Sequence, residues 1–594
     1  MKTKIKSKIS VLAIASGLAA LCLTACGTPD GPHKSANGIE TSDNGVIREE
    51  LTSLEVADLM GNGINLGNTM EAYGRVSYGV GADVSSYETC WGSPVTTQEM
   101  ITGMKKAGFT ALRIPVAWTN AMDFESGDFT IGEDYLNRVE EIINYARNED
   151  MYVIVNDHWD GGWWGMFGSA NEETRAKAME LYTSMWTQIA ERYKEYSDYL
   201  IFESANEELG FRLNDTDIAA DSGTLSDAEC YTVANQINQA FVDTVRSTGG
   251  NNENRFLLIA GFGTDITNTC NSQFKMPTDS ASDKLLLSVH YYDPSAYCIN
   301  SSVATWGDKD DYNDQNTMLE KMTQFTKQGY GIVIGEYGVL MEDGNMKENT
   351  ADYYRNFLSN CDLYGYVPML WDCSNMYDRN ACKIVDDEVA SIYLEHSYSA
   401  QSEQSVDIRS VASAYLEEAL AAAPEGAGVD ENTAMAWIMY NSADWNILYS
   451  VGDVYDPDDK TAGIIATDVE VTGPGVYTVG LDFTGTSGGY ASGVVFSALA
   501  VTNAENLYPG CVIDIKEIQI NGEPYSLKGM PYTTSDDGVC TRVNLYNAWV
   551  TAVPDSARGF SEGARSFVTP NLLDADNLGN VETITVTFEF KTVE

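Results

Sequence analysis

Two of the 87 acidic residues invite a chemical reading. Glu207 closes the stretch Phe202-Glu203-Ser204-Ala205-Asn206-Glu207, and Glu336 lies in Gly335-Glu336-Tyr337-Gly338. Each follows directly on a short apolar run. Two carboxyl groups flanking a glycosidic bond can hydrolyse it, one protonated and one ionised. Held about 5–5.5 Å apart, the ionised one attacks the sugar and a covalent intermediate forms. Charge repulsion and burial should raise the pKa of the acid partner, while a neighbouring arginine such as Arg113 keeps the nucleophile ionised. The chain has only four histidines. Two of them, His158 and His290, also leave apolar runs, as does Trp371. Either glutamate alone could be half of a structural salt bridge. The pair, together with Asn206, both histidines and Trp371, reads as a site.

The elements that would position these groups alternate. Eight apolar runs predict buried parallel strands: Gly63–Leu66, Ala111–Val116, Tyr152–Asn156, Tyr199–Phe202, Phe256–Ala260, Leu285–Val289, Ile332–Ile334 and Tyr366–Leu370. Amphipathic helices are predicted between them, including Thr97–Ala107, Glu133–Asn148, Glu172–Tyr196, Asp227–Thr248, Gln315–Lys327 and Thr350–Leu363. This pattern predicts an α/β fold, a (β/α)8 TIM barrel, whose active residues sit at the C-terminal strand ends. Glu207 and Glu336 leave the fourth and seventh strands, on opposite sides of such a ring. A doubly wound open sheet is the alternative, but no Gly-rich phosphate loop follows any strand.

Six motifs occur once each and in order: Gly63-Ile64-Asn65-Leu66-Gly67-Asn68-Thr69, Glu88-Thr89-Cys90-Trp91-Gly92-Ser93-Pro94, Ala107-Gly108-Phe109 through Arg113-Ile114-Pro115-Val116, Ile201-Phe202-Glu203 through Asn206-Glu207, Ser288-Val289-His290-Tyr291-Tyr292, and Gly335-Glu336-Tyr337-Gly338. Over roughly residues 51–400 the chain resembles glycoside hydrolase family 5, in its clostridial endoglucanase branch. The resemblance implies a retaining β-glycosidase without cofactor or metal. It implies Glu207 as acid/base and Glu336 as nucleophile, with Asn206 on the sugar 2-hydroxyl. Arg113 and Tyr292 would orient and charge-stabilise Glu336. His158 and His290 would shape the catalytic subsite, His290 near Glu207, and Trp371 would form its floor. Two departures stand out. The second of two adjacent histidines common in that branch is replaced by Trp159, and Glu207 is followed by Glu208 where proline is common. Trp118, Trp159, Trp163 and Trp164 are further candidate sugar-stacking aromatics, although Trp163 and Trp164 could instead pack beneath a loop.

The ends of the chain have other textures. Lys2, Lys4, Lys6 and Lys8 precede an apolar run ending Leu23-Thr24-Ala25-Cys26-Gly27. Residues 1–25 read as a lipoprotein signal peptide, with Cys26 lipidated; an ordinary secretory peptide is the alternative. Residues 26–50 read as a flexible spacer, 51–400 as the catalytic barrel, and 401–432 as a linker bearing one helix. From 433 to 594, short alternating strands predict an all-β sandwich. Its aromatics, Trp437, Trp445, Trp549, Tyr440 and Tyr546, suggest either a carbohydrate-binding module or a packed core. Asp453, Asp456, Asp458 and Asp459 crowd one loop, but no complete calcium motif is present.

The formal charge is −51, from 36 Lys plus Arg against 87 Asp plus Glu. That excludes nucleic acid as a partner, which requires clustered cations, and leaves lipidation at Cys26 as the sole membrane attachment. The expectation is an exported, surface-tethered, monomeric endo-β-1,4-glucanase acting on neutral β-glucan. Xyloglucanase, mixed-linkage glucanase and mannanase are rivals within the fold, and a non-catalytic glycan-binding lipoprotein is the rival outside it.

Overall fold

The computed structural model describes residues 33–299, 305–341, 344–401, 407–424, 433–450, 459–535, 539–554 and 556–592. The expected leader, Cys26, and Asp453, Asp456 and Asp458 of the acidic loop lie outside these residues. Eight parallel strands close a barrel: β1 (Gly63–Asn65), β2 (Ala111–Ile114), β3 (Tyr152–Val155), β4 (Leu200–Glu203), β5 (Leu257–Ala260), β6 (Leu285–Tyr291), β7 (Gly331–Tyr337) and β8 (Tyr366–Leu370), with β8 hydrogen-bonded to β1. Most crossovers carry a helix, but β5 and β6 are joined through a single helical turn, Ile266–Thr269.

Alternation along the strands sorts the barrel interior into two layers. Ala111, Ile154, Ile201, Leu258, Leu286, Val333, Val367 and Met369 form one buried apolar cluster with Val56, Ala57 and Met60. Those last three belong to helix α1 (Ser53–Met60), which begins with a capping box between Thr52 and Glu55. Two residues further along β1, β2, β4 and β6 stand Asn65, Arg113, Glu203 and Ser288, all fully buried. The apolar layer therefore sits low in the barrel, and the polar layer sits at its mouth.

Two segments expected to be loose are packed instead. Within the predicted spacer, residues 33–50 form a small hairpin, His33–Lys34 with Glu40–Thr41, and then ion pairs with the barrel. Asp43 meets Arg147 at 2.8 Å, and Arg48 meets Asp198 at 2.9 Å. Both acids are nearly fully buried, which no solvated spacer would provide. The predicted linker contains a helix, Ile408–Ala422, that buries Ala412 and Leu416 and packs Ala419 and Leu420 on the barrel core. Because Lys309 N–H donates to Pro424 O, the barrel unit extends to residue 424 rather than 400.

Among the described residues of 433–592, two larger antiparallel sheets enclose one core, and a short two-stranded pairing joins Ala491–Ser492 to Asn580–Val581. One sheet places Met435–Asn441, Phe496–Val501 and Thr541–Asn547 side by side; the other places Gly475–Asp482, Thr583–Thr592 and Cys511–Ile520. Val479, Leu481, Phe588 and Phe590 from the second sheet meet Ile438, Tyr440, Leu499 and Leu545 from the first.

Candidate active site

The polar mouth is organised by one guanidinium. Arg113 is fully buried and uses three of its nitrogens on four acceptors. Its Nε donates to Glu203 at 2.7 Å, Nη1 to Asn65 and Glu336 at 3.0 Å each, and Nη2 to Asn206 at 2.9 Å. Ser288 Oγ donates to the other Glu203 oxygen at 2.6 Å. Asn65 Nδ2 donates to Gly335 O at 2.9 Å. A buried charge is tolerable only when paired and hydrogen-bonded on all sides, and this network meets that condition.

A bulge brings the next layer into place. Between Val289 and His290 the β6–β7 register shifts by one residue, so His290 faces Glu336 across the strand pair. A Cβ on Gly335 would lie 2.8 Å from Ser288 Oγ and 3.2 Å from His290 Nε2, so only glycine leaves the imidazole its seat. His290 Nδ1 is 2.8 Å from Glu207 Oε1 and 3.6 Å from Glu336 Oε2. Tyr292 OH donates to Glu336 Oε2 at 3.0 Å. One carboxylate oxygen of Glu207, one of Glu336 and a ring nitrogen of His290 lie within 4.8 Å of one another, close to the spacing that permits covalent attack.

The two carboxyls differ in setting. The Glu336 side chain is 7% exposed and that of Glu207 43% exposed. Burial pushes the Glu336 carboxyl above its ordinary range, although the His290 and Arg113 charges oppose this. For Glu207, burial is outweighed by the hydrogen bond and charge of His290, and its carboxyl is held down. Burial lowers His290 less than Glu336 and Glu207 raise it, so the imidazole sits above its usual value. This reverses the simple expectation that burial raises the acid partner. The more exposed glutamate is the lowered one, because the histidine charge lies against it.

Trp371 and His158 line the same mouth. Their rings stack at 5.7 Å with an interplanar angle of 10°. A Cβ on Gly67 would come within 2.9 Å of the Trp371 indole, so the glycine allows the β1 exit to pass beneath that ring. Burial, followed by the charges of Arg113 and His290, drives His158 well below its normal value, leaving it neutral.

The other tryptophans divide. Trp118, Trp163 and Trp164 are at most 1% exposed. Trp118 Nε1 donates to Asn156 O at 2.8 Å, and Trp163 stacks on Trp164 at 4.6 Å against Phe167 and Tyr182. A ring buried on both faces offers nothing to a sugar, so these three are core residues and not subsite aromatics. Trp159 is half-buried and meets Tyr73 at 5.5 Å and Trp91 at 6.2 Å. Trp91 is exposed, and neither Tyr73 nor Trp91 was singled out from sequence. Trp159, Asp160, Gly161 and Gly162 all have positive φ, a left-handed run that turns the chain sharply enough to separate Trp159 from Trp163 and Trp164.

Asn65 and Glu203 carry no separate sign in the sequence; they lie within the quoted motifs and end the observed strands β1 and β4. Behind the site lies a second group of acids. Burial raises Glu208 to about 7 and Asp160 to about 6, and it drives Asp157 far above the carboxylate range. Glu208 pairs with Arg212 at 3.0 Å through one oxygen, while its other oxygen is buried without a hydrogen-bond partner.

Comparison with known proteins places this arrangement. Residues 76–376 match the family model described as cellulase, glycosyl hydrolase family 5. Endoglucanase A of Ruminococcus albus is 30% identical over 383 residues, 62% of this chain and 99% of that protein. A xyloglucan-specific endo-β-1,4-glucanase of Bacteroides ovatus is 33% identical over 360 residues, 57% of this chain and 68% of that one. The solved structure of a family 5 lichenase from Caldicellulosiruptor superposes with a TM-score of 0.52 at 31% identity, covering 59% of this chain and 96% of that one.

Proposed function

The chain belongs to the cellulase family, glycosyl hydrolase family 5, and from that premise we propose that its barrel is a retaining endo-β-1,4-glucanase with Glu336 as nucleophile and Glu207 as acid/base. One observation carries the assignment of roles. Arg113 and Tyr292 each hold one oxygen of Glu336, whereas the hydrogen-bond partner of Glu207 among the described residues is a titratable one, His290. A carboxylate gripped by a permanent cation and a hydroxyl is built to attack. One beside an imidazole is built to exchange protons.

The two steps then balance. Glu336 attacks the anomeric carbon while Glu207 gives its proton to the departing glycosidic oxygen, and a glycosyl ester on Glu336 remains. Glu207 next takes a proton from water, whose oxygen displaces Glu336 from the same carbon. In the open site the proton rests towards His290. A bound sugar covers the exposed edge of Glu207, strips its water and raises its affinity for the proton, which crosses the 2.8 Å hydrogen bond. Asn206, fixed by Arg113, meets the 2-hydroxyl, Trp371 stacks beneath the ring, and Tyr73, Trp91 and Trp159 extend the stacking surface along the chain.

The test uses leaving groups. Glu207→Gln should lower turnover of β-glucan by about 10²–10⁴-fold, and far less with an activated aryl glycoside that needs no proton. Glu336→Gln should abolish both. If the two variants respond alike, or if either retains near-normal glucan hydrolysis, the roles are wrong.

Export completes the reading. The basic start, the apolar run and Leu23-Thr24-Ala25-Cys26 support a cleaved leader with a lipid on Cys26. Among the described residues no helix is long and apolar enough to cross a membrane. Incorporation of labelled fatty acid, lost in Cys26→Ala, is the expected outcome.

A further inference from the structure

We propose that Trp445 and Trp549 form a second glycan site, at one end of the C-terminal sandwich, which holds a single β-glucan chain. The choice of β-glucan rests on the activity proposed for the barrel. The site itself rests on the following geometry.

Asn441 lies opposite Phe496, and Phe496 opposite Asn547, in neighbouring antiparallel strands. The turns that follow Asn441 and Asn547 therefore leave the same edge of the sheet. Trp445 projects from the first turn and Trp549 from the second. Their ring centroids are 6.1 Å apart with planes tilted by 46°. They are 51% and 64% exposed, whereas Trp437 in the same domain is 3% exposed. The sandwich core closes without either ring. Two large indoles left together in water on a domain that gains no packing from them mark an interaction surface.

Both turns are braced from beneath. In the first, Ser442 N–H donates to Ile447 O at 2.9 Å, Ser442 Oγ to Asp444 at 2.6 Å, and Trp445 N–H to Ser442 O at 3.0 Å. Trp445 has φ of 59°, a left-handed conformation uncommon for so bulky a residue. In the second, Asn547 Oδ1 accepts from Trp549 N–H at 3.0 Å, and Asn571 Oδ1 accepts from Asn547 N–H at 2.7 Å. Turns whose backbone is already braced have less freedom to lose when a ligand stacks on the rings they carry.

The ligand class follows from charge and shape. Residues 442–447 and 547–550 contain no cation, and Asp444 is anionic, so polyanions are disfavoured. The C–H faces of a neutral pyranose chain suit bare indoles. Planes tilted by 46° cannot both lie on a flat crystalline face, but they can follow a single chain that twists between neighbouring sugars.

Affinity electrophoresis of the full chain carrying Glu336→Gln, in gels containing xyloglucan, mixed-linkage β-glucan or polygalacturonate, tests this. Adding Trp445→Ala and Trp549→Ala together should weaken retardation by the β-glucans at least tenfold, while Trp445→Phe with Trp549→Phe should recover most of it. Polygalacturonate should retard none of them. Retardation unchanged in the alanine variant overturns the site. So does a dimer in sedimentation velocity that dissolves in that variant while glucan retardation persists, since the occupant is then a second copy. If the wild-type chain hydrolyses β-glucan but retardation ignores the tryptophans, only this site fails. If the tryptophans govern retardation but the wild-type chain hydrolyses no glucan, only the barrel assignment fails.

Discussion

The barrel mouth and the sandwich end present opposite solutions to contact with a sugar. The mouth buries its charges and satisfies them with one another, so that Arg113, Glu203, Glu336 and His290 are desolvated before any ligand arrives. The sandwich end leaves two uncharged rings in water and buries nothing with them. Bond cleavage needs charges held in a low-dielectric, preorganised setting. Adhesion needs only apolar area that a ligand can cover. A substitution at the mouth should therefore cost stability and chemistry together, and one at the sandwich end should cost neither.

The sharpest way to break that contrast is Arg113→Met. It strands two buried carboxylates, so a loss of roughly 3–5 kcal/mol in denaturant melts is expected alongside loss of turnover; a variant of native stability would show that the network is not holding the mouth. Trp163→Ala should cost roughly 3–5 kcal/mol through the cavity it leaves, with KM unchanged in whatever folds. Glu208→Gln tests the acids behind the site. Glu208 titrates at about 7 in the fold and near 4.3 when unfolded, so its ionised form opposes folding. The stability of the native protein should therefore fall as pH rises from about 4 to 7, and Glu208→Gln should gain up to ~3 kcal/mol above pH 7 and nothing near pH 4. A gain independent of pH would assign the effect to packing. Trp159→Ala should raise KM for polysaccharide several-fold, with a melting temperature nearly unchanged. The smallest effect is expected at Trp445→Ala, within about 0.5 kcal/mol of the parent in thermal melts.

Much of the barrel could be read because parallel strands are buried on both faces and appear as unbroken apolar runs. All eight expected runs overlap an observed strand, including the weak Ile332–Ile334, which grows to Gly331–Tyr337. The two glutamates proposed to do the chemistry could be picked out because barrel chemistry collects at strand ends. What escaped was set by tertiary contacts. Trp159, Trp163 and Trp164 look alike in a string of letters; the left-handed run through Gly162 sends one to the cleft and two to the core. Trp91 was passed over because it lies in a loop between helices, far from any strand end. Residues 33–50 looked like spacer because Gly, Ser, Asn and Asp recur in them without a long apolar run, and the buried pairing of Asp43 with Arg147 has no local signature.

That N-terminal strap also fixes a direction. Asp43 binds Ser197, Arg48 binds Asp198 and Tyr152, and all three partners stand where β3 and β4 begin, at the end of the barrel away from Glu207 and Glu336. Anything joined upstream of His33 is thus attached at the base. Six residues, or seven Cα–Cα steps, separate His33 from Cys26, a reach of at most ~25 Å. A lipid at Cys26 would moor the enzyme by its floor, close to the surface, with its cleft turned outward to the polymer it meets.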